Sequence, residues 1–387
     1  MAEWQRVRLG NIIKTNQNIY STKESWQFVN YLDTGNITMN RVKEIRYINT
    51  DIDKLPSRAR RKVKFNSIIY STVRPDQLHY GIIKEQPDNF LISTGFTVID
   101  VDSRKAVPDF IYYILTRKDV TEHLQAIAEQ SVSAYPSLKP SDIENLKVLL
   151  PDVDTQKKIV FVLSVIDEKI ALNTQINNNL EQQAKALYRH MFIDNAHSNW
   201  AEGTLSDIAN ITMGQSPSGS SYNEDRNGTI FFQGRAEFGF RFPTVRLYTT
   251  EAKRMAYEND TLMSVRAPVG DLNVAHMDCC IGRGLAAIHS KSNHQSFVLY
   301  TMFSLKKQLD VFNGEGTVFG SINRNSLNDM PILIPSDDIL DEFERIVAPM
   351  DLTIRNNHDE ICRLQDIRDS LLPRLISGEL DIANIEI

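Results

Sequence analysis

The stretch SLKPSDIENLKVLLP at residues 137–151 recurs as SINRNSLNDMPILIP at residues 321–335, 184 positions later. In both copies a polar loop leads into a short apolar run that ends in proline, VLLP in the first and ILIP in the second. One match of this kind can arise by chance. The match is evidence for a duplication only if other segments recur in the same order.

Two more segments do recur in that order. IIYSTVR at residues 68–74 matches TLMSVR at residues 261–266, and Trp4 with its apolar neighbours matches Trp200. The offset falls from 196 at Trp200 to 184 at residue 335, so the second copy is the shorter one. Self-similarity at a fixed order and long period is the signature of a duplicated architecture. The sequence therefore predicts two globular copies of one fold.

A heptad pattern of apolar residues follows each copy, with steps of four and three from Ile159 onward. Such a pattern indicates a helix that buries one seam against another helix. Residues 155–192 hold five basic and three acidic side chains, and residues 339–376 hold five basic and eight acidic ones. Opposite net charges favour antiparallel pairing of the two helices as a coiled-coil spacer. The other interpretation packs each helix on its own globular part.

The predicted seam contains asparagine as well as apolar residues, and a polar seam residue can fix the register of a helix pair at some cost in stability. Its members are Ile159, Leu163, Ile166, Ile170, Asn173, Leu180, Leu187, Met350, Ile354, Asn357, Leu364 and Leu371. Pro349 falls inside the second pattern, where a proline removes a hydrogen bond and clashes with the preceding turn. We therefore expect one helix to end near Ala348 and a longer one to begin near Pro349, with Pro373 near its end.

The globular parts mix two kinds of pattern, which predicts a mixed α/β fold. Residues 67–73, 91–101 and 229–233 are β-rich, whereas residues 108–125 and 295–311 are typical of helices. The order of the strands does not follow from these patterns. The predicted division is a first globular domain at 1–154, a central helix at 155–195, a second globular domain at 196–338, and a C-terminal helix with its tail at 339–387.

Composition narrows the class of protein. The chain has 387 residues, 42% of them apolar, and only three cysteines, so a disulfide scaffold is not indicated and a reducing cytoplasm fits best. It has neither an apolar signal core nor a run long enough to span a membrane. Phosphate-binding, dinucleotide and zinc-protease motifs are missing, and the eight histidines are scattered. We expect no metal site and no catalysis by this chain alone.

Basic residues cluster in spite of a net charge of −6. Residues 41–64 hold nine basic and three acidic side chains, and a weaker set interleaved with phenylalanines follows residue 231. Arginine suits both phosphates and guanine edges. The alternatives are a solvated surface, a strand core and, for Arg74 and Arg266, a structural salt bridge. The candidate DNA-binding residues are Arg58, Arg60, Arg61, Lys62, Arg74, Arg235, Arg241, Lys253, Arg254, Arg266, Asn323 and Arg324.

Several motifs together resemble the specificity subunit of type I restriction-modification systems. They are STVRP at 71–75, IDEKI at 166–170, GQSPS at 214–218, SVRAPVGD at 264–271 and LLPRLISGEL at 371–380. The resemblance covers essentially the whole chain in the family's order. It implies two target-recognition domains, each reading one half of a bipartite double-stranded DNA target, with the long helices setting the spacing.

The resemblance also implies partners. The helices would dock two methyltransferase subunits that carry S-adenosylmethionine and methylate adenine, and restriction subunits that use ATP and Mg²⁺ could join them. A subunit that serves modification only is equally compatible with this chain. An alternative of another class is a non-catalytic coiled-coil scaffold whose duplicated heads bind protein, and it predicts no salt-dependent affinity for duplex DNA.

Overall fold

The computed structural model describes residues 4–21, 23–131, 135–314 and 320–382. The chain forms two compact units, the first made of Met1–Ala171 with Ile361–Ile387 and the second of Leu172–Glu360. The division falls inside the two long helices, so each unit holds a globular part and one stretch of each helix. We call the globular parts the first head (residues 4–152) and the second head (residues 195–336).

The first head combines twelve strands with three short helices among its described residues. The strands are β1 (Gln5–Arg8), β2 (Ile13–Thr15), β3 (Phe28–Leu32), β4 (Ile37–Thr38), β5 (Arg41–Val42), β6 (Arg46–Asn49), β7 (Ala59–Arg61), β8 (Ile68–Ser71), β9 (Tyr80–Ile82), β10 (Phe90–Ser93), β11 (Phe96–Val101) and β12 (Lys147–Leu150). The helices are α1 (Pro108–Leu115), α2 (Lys118–Glu129) and α3 (Pro140–Glu144), and the long helix α4 (Val153–Arg189) follows.

The second head repeats this plan. Its strands are β13 (Ala201–Thr204), β14 (Ala209–Met213), β15 (Tyr222–Asn223), β16 (Thr229–Phe232), β17 (Leu247–Thr249), β18 (Met255–Ala256), β19 (Thr261–Ser264), β20 (Leu272–Val274), β21 (Cys279–Ile281), β22 (Leu285–Ser290) and β23 (Pro331–Ile334). Its helices are α5 (Leu205–Ile208), α6 (Gln295–Ser304), α7 (Lys306–Asp310) and α8 (Arg324–Asn328), and the second long helix is α9 (Asp337–Ile376).

Sheet topology confirms the duplication that the sequence predicts. The sheet order β2-β11-β8-β9 of the first head corresponds to β14-β22-β19-β20 of the second. The order β6-β3-β10-β7 corresponds to β17-β16-β21-β18, to which β15 is added. In both heads the central pair, β3 with β10 and β16 with β21, is parallel. The first and last strands of each head also pair, β1 with β12 and β13 with β23.

Burial explains why the central strands are read as continuous apolar runs. All four residues of β8 are buried, and so are all four of the matching strand β19. A strand covered on both faces loses the alternation of a half-exposed one. Each head packs this sheet against its own helices, with Phe110 and Ile111 of α1 in one core and Phe297 and Val298 of α6 in the other.

Three predicted runs are divided in the structure. The β-rich run at 91–101 is split into β10 and β11 by a turn at Thr94 and Gly95, and the helical run at 108–125 is split into α1 and α2. The helical run at 295–311 likewise becomes α6 and α7. Apolar content alone does not mark the break between β10 and β11, since Ser93 and Phe96 on either side of it are both buried.

The long helices pair within each unit. In the second unit Asn173 of α4 donates to Glu360 of α9 at 2.6 Å, and Asn357 donates to Asn177 at 2.8 Å, so residue numbers rise on one helix as they fall on the other. This order makes the pairing antiparallel. Of the predicted seam, Ile159, Leu163, Ile170, Asn173 and Ile354 are buried; Ile166, Leu180, Leu187, Met350, Asn357, Leu364 and Leu371 are half-buried.

The predicted helix break at Pro349 is wrong, because α9 runs without interruption from Asp337 to Ile376. Pro349 lies on the exposed face of the helix, where water can satisfy the carbonyl of Arg345 that loses its partner. Val347 and Ile354 on either side are fully buried, and their packing offsets the lost hydrogen bond. Pro373 lies near the end of the helix, as predicted.

None of the helices in the described part of the chain combines the length and the apolar character that crossing a bilayer requires.

Candidate nucleic-acid interface

The basic segment 41–64 supplies both edges of one sheet in the first head. In the order β6-β3-β10-β7 the outer strands are β6, which begins at Arg46, and β7, which ends at Arg61. Arg58 is exposed directly before β7, and Arg60 on that strand is half-buried. Neither guanidinium forms an ion pair with a described residue. Their charges are therefore available to an anionic partner.

Arg61 and Lys62 are less available than the sequence predicts. Burial lowers the pKa of Arg61, whose Nε is enclosed and has no hydrogen-bond partner among the described residues. Lys62 forms a salt bridge with Glu24 and lies 5.0 Å from the ring of Trp26. The hydrogen bond from Lys62 lowers the pKa of Glu24, so the two charges largely neutralise each other.

Two exposed arginines of the second head, Arg254 and Arg266, lie beside the same elements as two exposed arginines of the first. Arg254 is exposed directly before β18, which pairs with β21 at the sheet edge as β7 pairs with β10. Arg254 lies opposite Ile281, in the place that Arg61 has opposite Ile92, so its match in register is Arg61, and Arg58 lies three residues earlier beside the same edge strand. Lys253 beside it is also exposed, and neither residue forms an ion pair within the described part of the chain. The charge pattern indicates this segment, and the topology places it at the same sheet edge as the basic segment of the first head.

Arg74 and Arg266 lie on the same loop of the two heads, each following the last residues of a buried strand, but Val73 takes the place of Arg266 in the loop pairing, so the two arginines are one position apart in register. Both are exposed, and their loops make the same backbone pairing, Val73 with Ser137 and Arg266 with Ser321. Arg74 has a left-handed φ of 49°, and its guanidinium lies 5.3 Å from the ring of Tyr135. The alternative of a salt bridge is not observed among the described residues for either arginine.

The pairing at Arg266 brings other predicted residues to the same place. Arg324 is exposed on the adjoining turn, and Asn323 caps α8 by accepting a hydrogen bond from the Ser326 amide at 2.9 Å. A capping side chain is already committed to the helix N-terminus. Arg324 is thus the freer of the two for a contact with DNA.

Arg235 and Arg241 depart from the prediction. Arg235 is half-exposed but forms a salt bridge with Asp271, which reduces its net charge. Arg241 is not at the surface: its side chain is 4% exposed and pairs with Glu181 and Asp351 of the long helices. A guanidinium enclosed by two carboxylates cannot reach a DNA phosphate, so the assignment of Arg241 to the DNA interface is wrong.

The prediction missed exposed aromatic and apolar side chains within the basic segment. Tyr47 on β6 is 63% exposed and stacks on Phe28, with ring centroids 5.5 Å apart, and Phe65 is exposed beyond β7. Flat apolar groups beside arginines suit contacts with sugars and bases. The sequence does contain a signal for these side chains, because Tyr47 and Phe65 are interleaved with the basic residues of this segment, as the phenylalanines are in the second copy.

The described residues place no three His, Cys, Asp or Glu side chains together in a way that could hold a metal ion. No disulfide forms within the described part of the chain, where Cys279 and Cys280 are buried and Cys362 is exposed.

Comparison with known proteins identifies the family to which the chain is similar. Residues 1–182 and 197–363 each match the type I restriction modification DNA specificity domain. The chain is 23% identical to the type I restriction enzyme HindI specificity subunit of Haemophilus influenzae, over 98% of this chain and 100% of that protein. It is 25% identical to the MjaIX specificity subunit of Methanocaldococcus jannaschii, over 72% and 70%.

A solved structure agrees in fold. The S subunit of a type I restriction-modification system from M. genitalium matches with a TM-score of 0.63 at 16% identity, over 99% of this chain and 97% of that one. Both heads and both long helices fall within the matched length. The chain therefore belongs to the type I restriction-modification DNA specificity family and carries two copies of its domain.

Proposed function

We propose that this chain is the recognition subunit of a DNA-methylating complex, in which each head reads one half of a split target and the long helices fix the spacing between the halves. The observation that carries the proposal is that both heads place exposed arginines beside the same edge strand and on the same loop, Arg58 and Arg74 in one head and Arg254 and Arg266 in the other. Two copies of one reading surface on a single chain suit a target with two half-sites.

The exposed faces of the long helices support a docking role. Phe161 and Val165 of α4 are both about half exposed and lie one turn apart, and Ile367 of α9 is similarly exposed in the same unit. In the second unit Leu172 and Leu352 are exposed in the same way. Large apolar side chains held in the open on rigid helices favour contact with another protein. We assign these faces to two methyltransferase subunits.

The chemistry then belongs to the partners. S-adenosylmethionine would be bound by the methyltransferase subunits, and ATP and Mg²⁺ by restriction subunits if the system restricts as well as modifies. The chain itself would supply sequence choice and no catalytic group. In this role it acts on DNA in the cytoplasm.

The test is to co-express the chain with its methyltransferase subunit and to map methylated adenines across a plasmid. A split motif with a fixed spacer is the expected result. A continuous motif, or methylation that ignores substitution of the heads, contradicts the proposal. Salt-independent or absent binding to duplex DNA by the assembled complex would favour a scaffold with protein-binding heads instead.

A further inference from the structure

The loop between β16 and β17 turns an arginine toward the long helices rather than toward solvent. Arg241 Nη2 lies 3.1 Å from Glu181 Oε2 of α4, and Nη1 lies 3.2 Å from Asp351 Oδ1 of α9. Nη2 also donates to the Tyr300 hydroxyl of α6 at 3.2 Å. One side chain of the second head therefore joins both long helices and a helix of its own head.

The neighbouring residue makes a second contact on α9. The ring of Phe242 lies 5.0 Å from that of His358 and 4.9 Å from that of His276. His276 Nε2 of the second head is 2.8 Å from Asp359 Oδ1 of the helix. Phe242 and the His276–Asp359 pair thus hold a stretch of α9 beyond the one that Arg241 holds.

The two contacts are far enough apart to fix an orientation. Asp351 and Asp359 are eight residues apart, which is about 12 Å along a helix. A single contact allows a domain to pivot, whereas two separated contacts on α9 and a third on α4 resist rotation. The second head is therefore held in one orientation on the helix pair of its own unit.

The chemistry of the cluster makes this arrangement hard to replace. A planar guanidinium can bind two carboxylates and a hydroxyl in fixed directions, and an ammonium group cannot. Burial together with the charge of Asp351 raises the pKa of Tyr300, so its hydroxyl stays protonated and donates to Asp351 at 2.9 Å. Loss of the arginine would leave Asp351 without its cation and Glu181 with Lys185 alone, which is costly in a buried site.

The first head contains a related contact. The Tyr113 hydroxyl of α1 donates to Asp167 of α4 at 2.8 Å, and Asp167 precedes Asp351 by the repeat offset of 184. There the arginine is Arg368 of α9, 3.1 Å from Asp167. Both units thus join a tyrosine of the head to an aspartate of a long helix, but only in the second unit does the head supply the arginine.

We infer that Arg241 is a positioning residue that fixes the second head on the helix pair and thereby sets the separation at which the second half-site is read. This inference rests on the proposed function. It assigns to the Arg-Phe pair at 241–242 a role in spacer choice, and not in contact with bases. One added base pair moves a half-site by ~3.4 Å and turns it by about 35°, so a loosened head would accept neighbouring spacers.

The test uses the complex with its methyltransferase subunits and targets whose spacer is native, one base pair shorter or one base pair longer. For Arg241→Lys and Tyr300→Phe we expect the ratio of methylation rates, native over altered spacer, to fall at least about tenfold, with base preference inside each half-site retained. Arg189→Lys, an exposed arginine of α4 paired with Asp194, should keep the wild-type ratio.

Several outcomes are decisive. If the Arg241 variant loses activity equally on all spacers, so that the ratio of methylation rates is unchanged, Arg241 has only a structural role and the inference is overturned. Tyr300→Phe keeps the ring and removes one hydroxyl, so its ratio decides the matter if Arg241→Lys does not fold. A wild-type complex without a split motif would overturn the proposed function itself, and the inference with it, before any variant is made.

Discussion

Arg58 and Arg254 are exposed directly before the same edge strand of the two heads, β7 and β18, and neither is neutralised by a described carboxylate. If both contact phosphate, each should contribute one released counterion to binding. We expect Arg58→Ala and Arg254→Ala each to reduce the slope of log affinity against log salt by about 0.9, and the double variant by about twice that. The measurement is fluorescence anisotropy of the assembled complex on its mapped target across a salt series.

The matched control is Lys118→Ala, which removes an exposed cation on α2 outside the basic segment. Its salt slope should equal that of the unmodified complex. Equal effects from Lys118 and Arg58 would mean that total charge, and not these sites, governs binding.

Asp152 illustrates a residue whose charge stabilises the start of a long helix. Its Oδ1 accepts hydrogen bonds from the Asp154 and Thr155 amides at 3.0 and 2.9 Å. The hydrogen bonds from Thr155 lower its pKa. A carboxyl with a lowered folded pKa stabilises when ionised, so its contribution is complete well above about pH 3.9 and is lost as the pH falls through the folded pKa.

We therefore expect Asp152→Ala to lower the free energy of unfolding by about 1 kcal/mol at neutral pH. Asp152→Asn should retain most of that free energy, because an asparagine oxygen also caps, while its stability changes less between pH 5 and pH 3. Urea unfolding at both pH values measures the difference. If the stability of the Asn variant depended more steeply on pH than that of the wild type, the prediction would be contradicted.

Arg241 shows which part of the site could be predicted and which could not. The charge pattern found the segments that carry Arg58, Arg74, Arg254 and Arg266, since exposed arginines need no distant partner to be recognised. It could not tell that Arg241 turns inward, because Glu181 and Asp351 meet it only after the heads and helices have packed. A buried ion pair between distant segments leaves no local signature in a sequence.

At the scale of elements, the paired asparagines of the long helices are expected to fix the register of α4 against α9. Asn177 is buried, donates to the Ile354 carbonyl at 3.2 Å and accepts from Asn357 at 2.8 Å. Asn357→Leu alone should cost about 1–3 kcal/mol, because it leaves the Asn177 oxygen without a partner. The double variant Asn177→Leu with Asn357→Leu should be less destabilised than Asn357→Leu, since no polar group is then left unpaired.

A double-mutant cycle by urea unfolding measures this coupling. Additive effects would show that the two amides act independently. Asn178→Leu on the exposed side of α4 is the control, and it should change the free energy of unfolding by no more than about 0.5 kcal/mol.

Pro349 shows how packing overrides a local rule in α9. The proline removes one hydrogen bond from the helix interior, yet the helix continues because Val347 and Ile354 are buried beside it. Restoring the bond with Pro349→Ala should raise the free energy of unfolding by about 2 kcal/mol, after allowance for the greater freedom of the unfolded chain. Thermal or urea unfolding tests this, and an unchanged or lower value would mean that the packing requires the proline.

At the scale of the whole molecule, the repeat offset predicted more of the fold than local propensity did. Strand-forming runs at 67–73 and 229–233 were found, but their order in the sheets was not, because strand neighbours such as β3 and β10 lie far apart in the chain. The duplication supplied what propensity could not, since segments that recur in the same order are expected to occupy the same place in both copies. The matched pairs β8 with β19 and β12 with β23 bear this out.

Charge is also distributed unevenly over the whole chain. Residues 1–154 hold 21 basic and 19 acidic side chains, whereas residues 193–338 hold 12 basic and 16 acidic ones. The second head must therefore hold a polyanion through a local patch against an unfavourable long-range field.

We expect the isolated chain to bind its mapped duplex only in the non-specific range, ~10⁻⁴–10⁻⁶ M, and the complex with methyltransferase subunits to bind at ~10⁻⁸ M or tighter at the same salt concentration. Anisotropy titrations of both preparations, with a duplex of scrambled half-sites as control, measure the gap. Equal affinity and equal salt slope for the isolated chain and the complex would mean that the chain alone carries the whole interface, in spite of its charge.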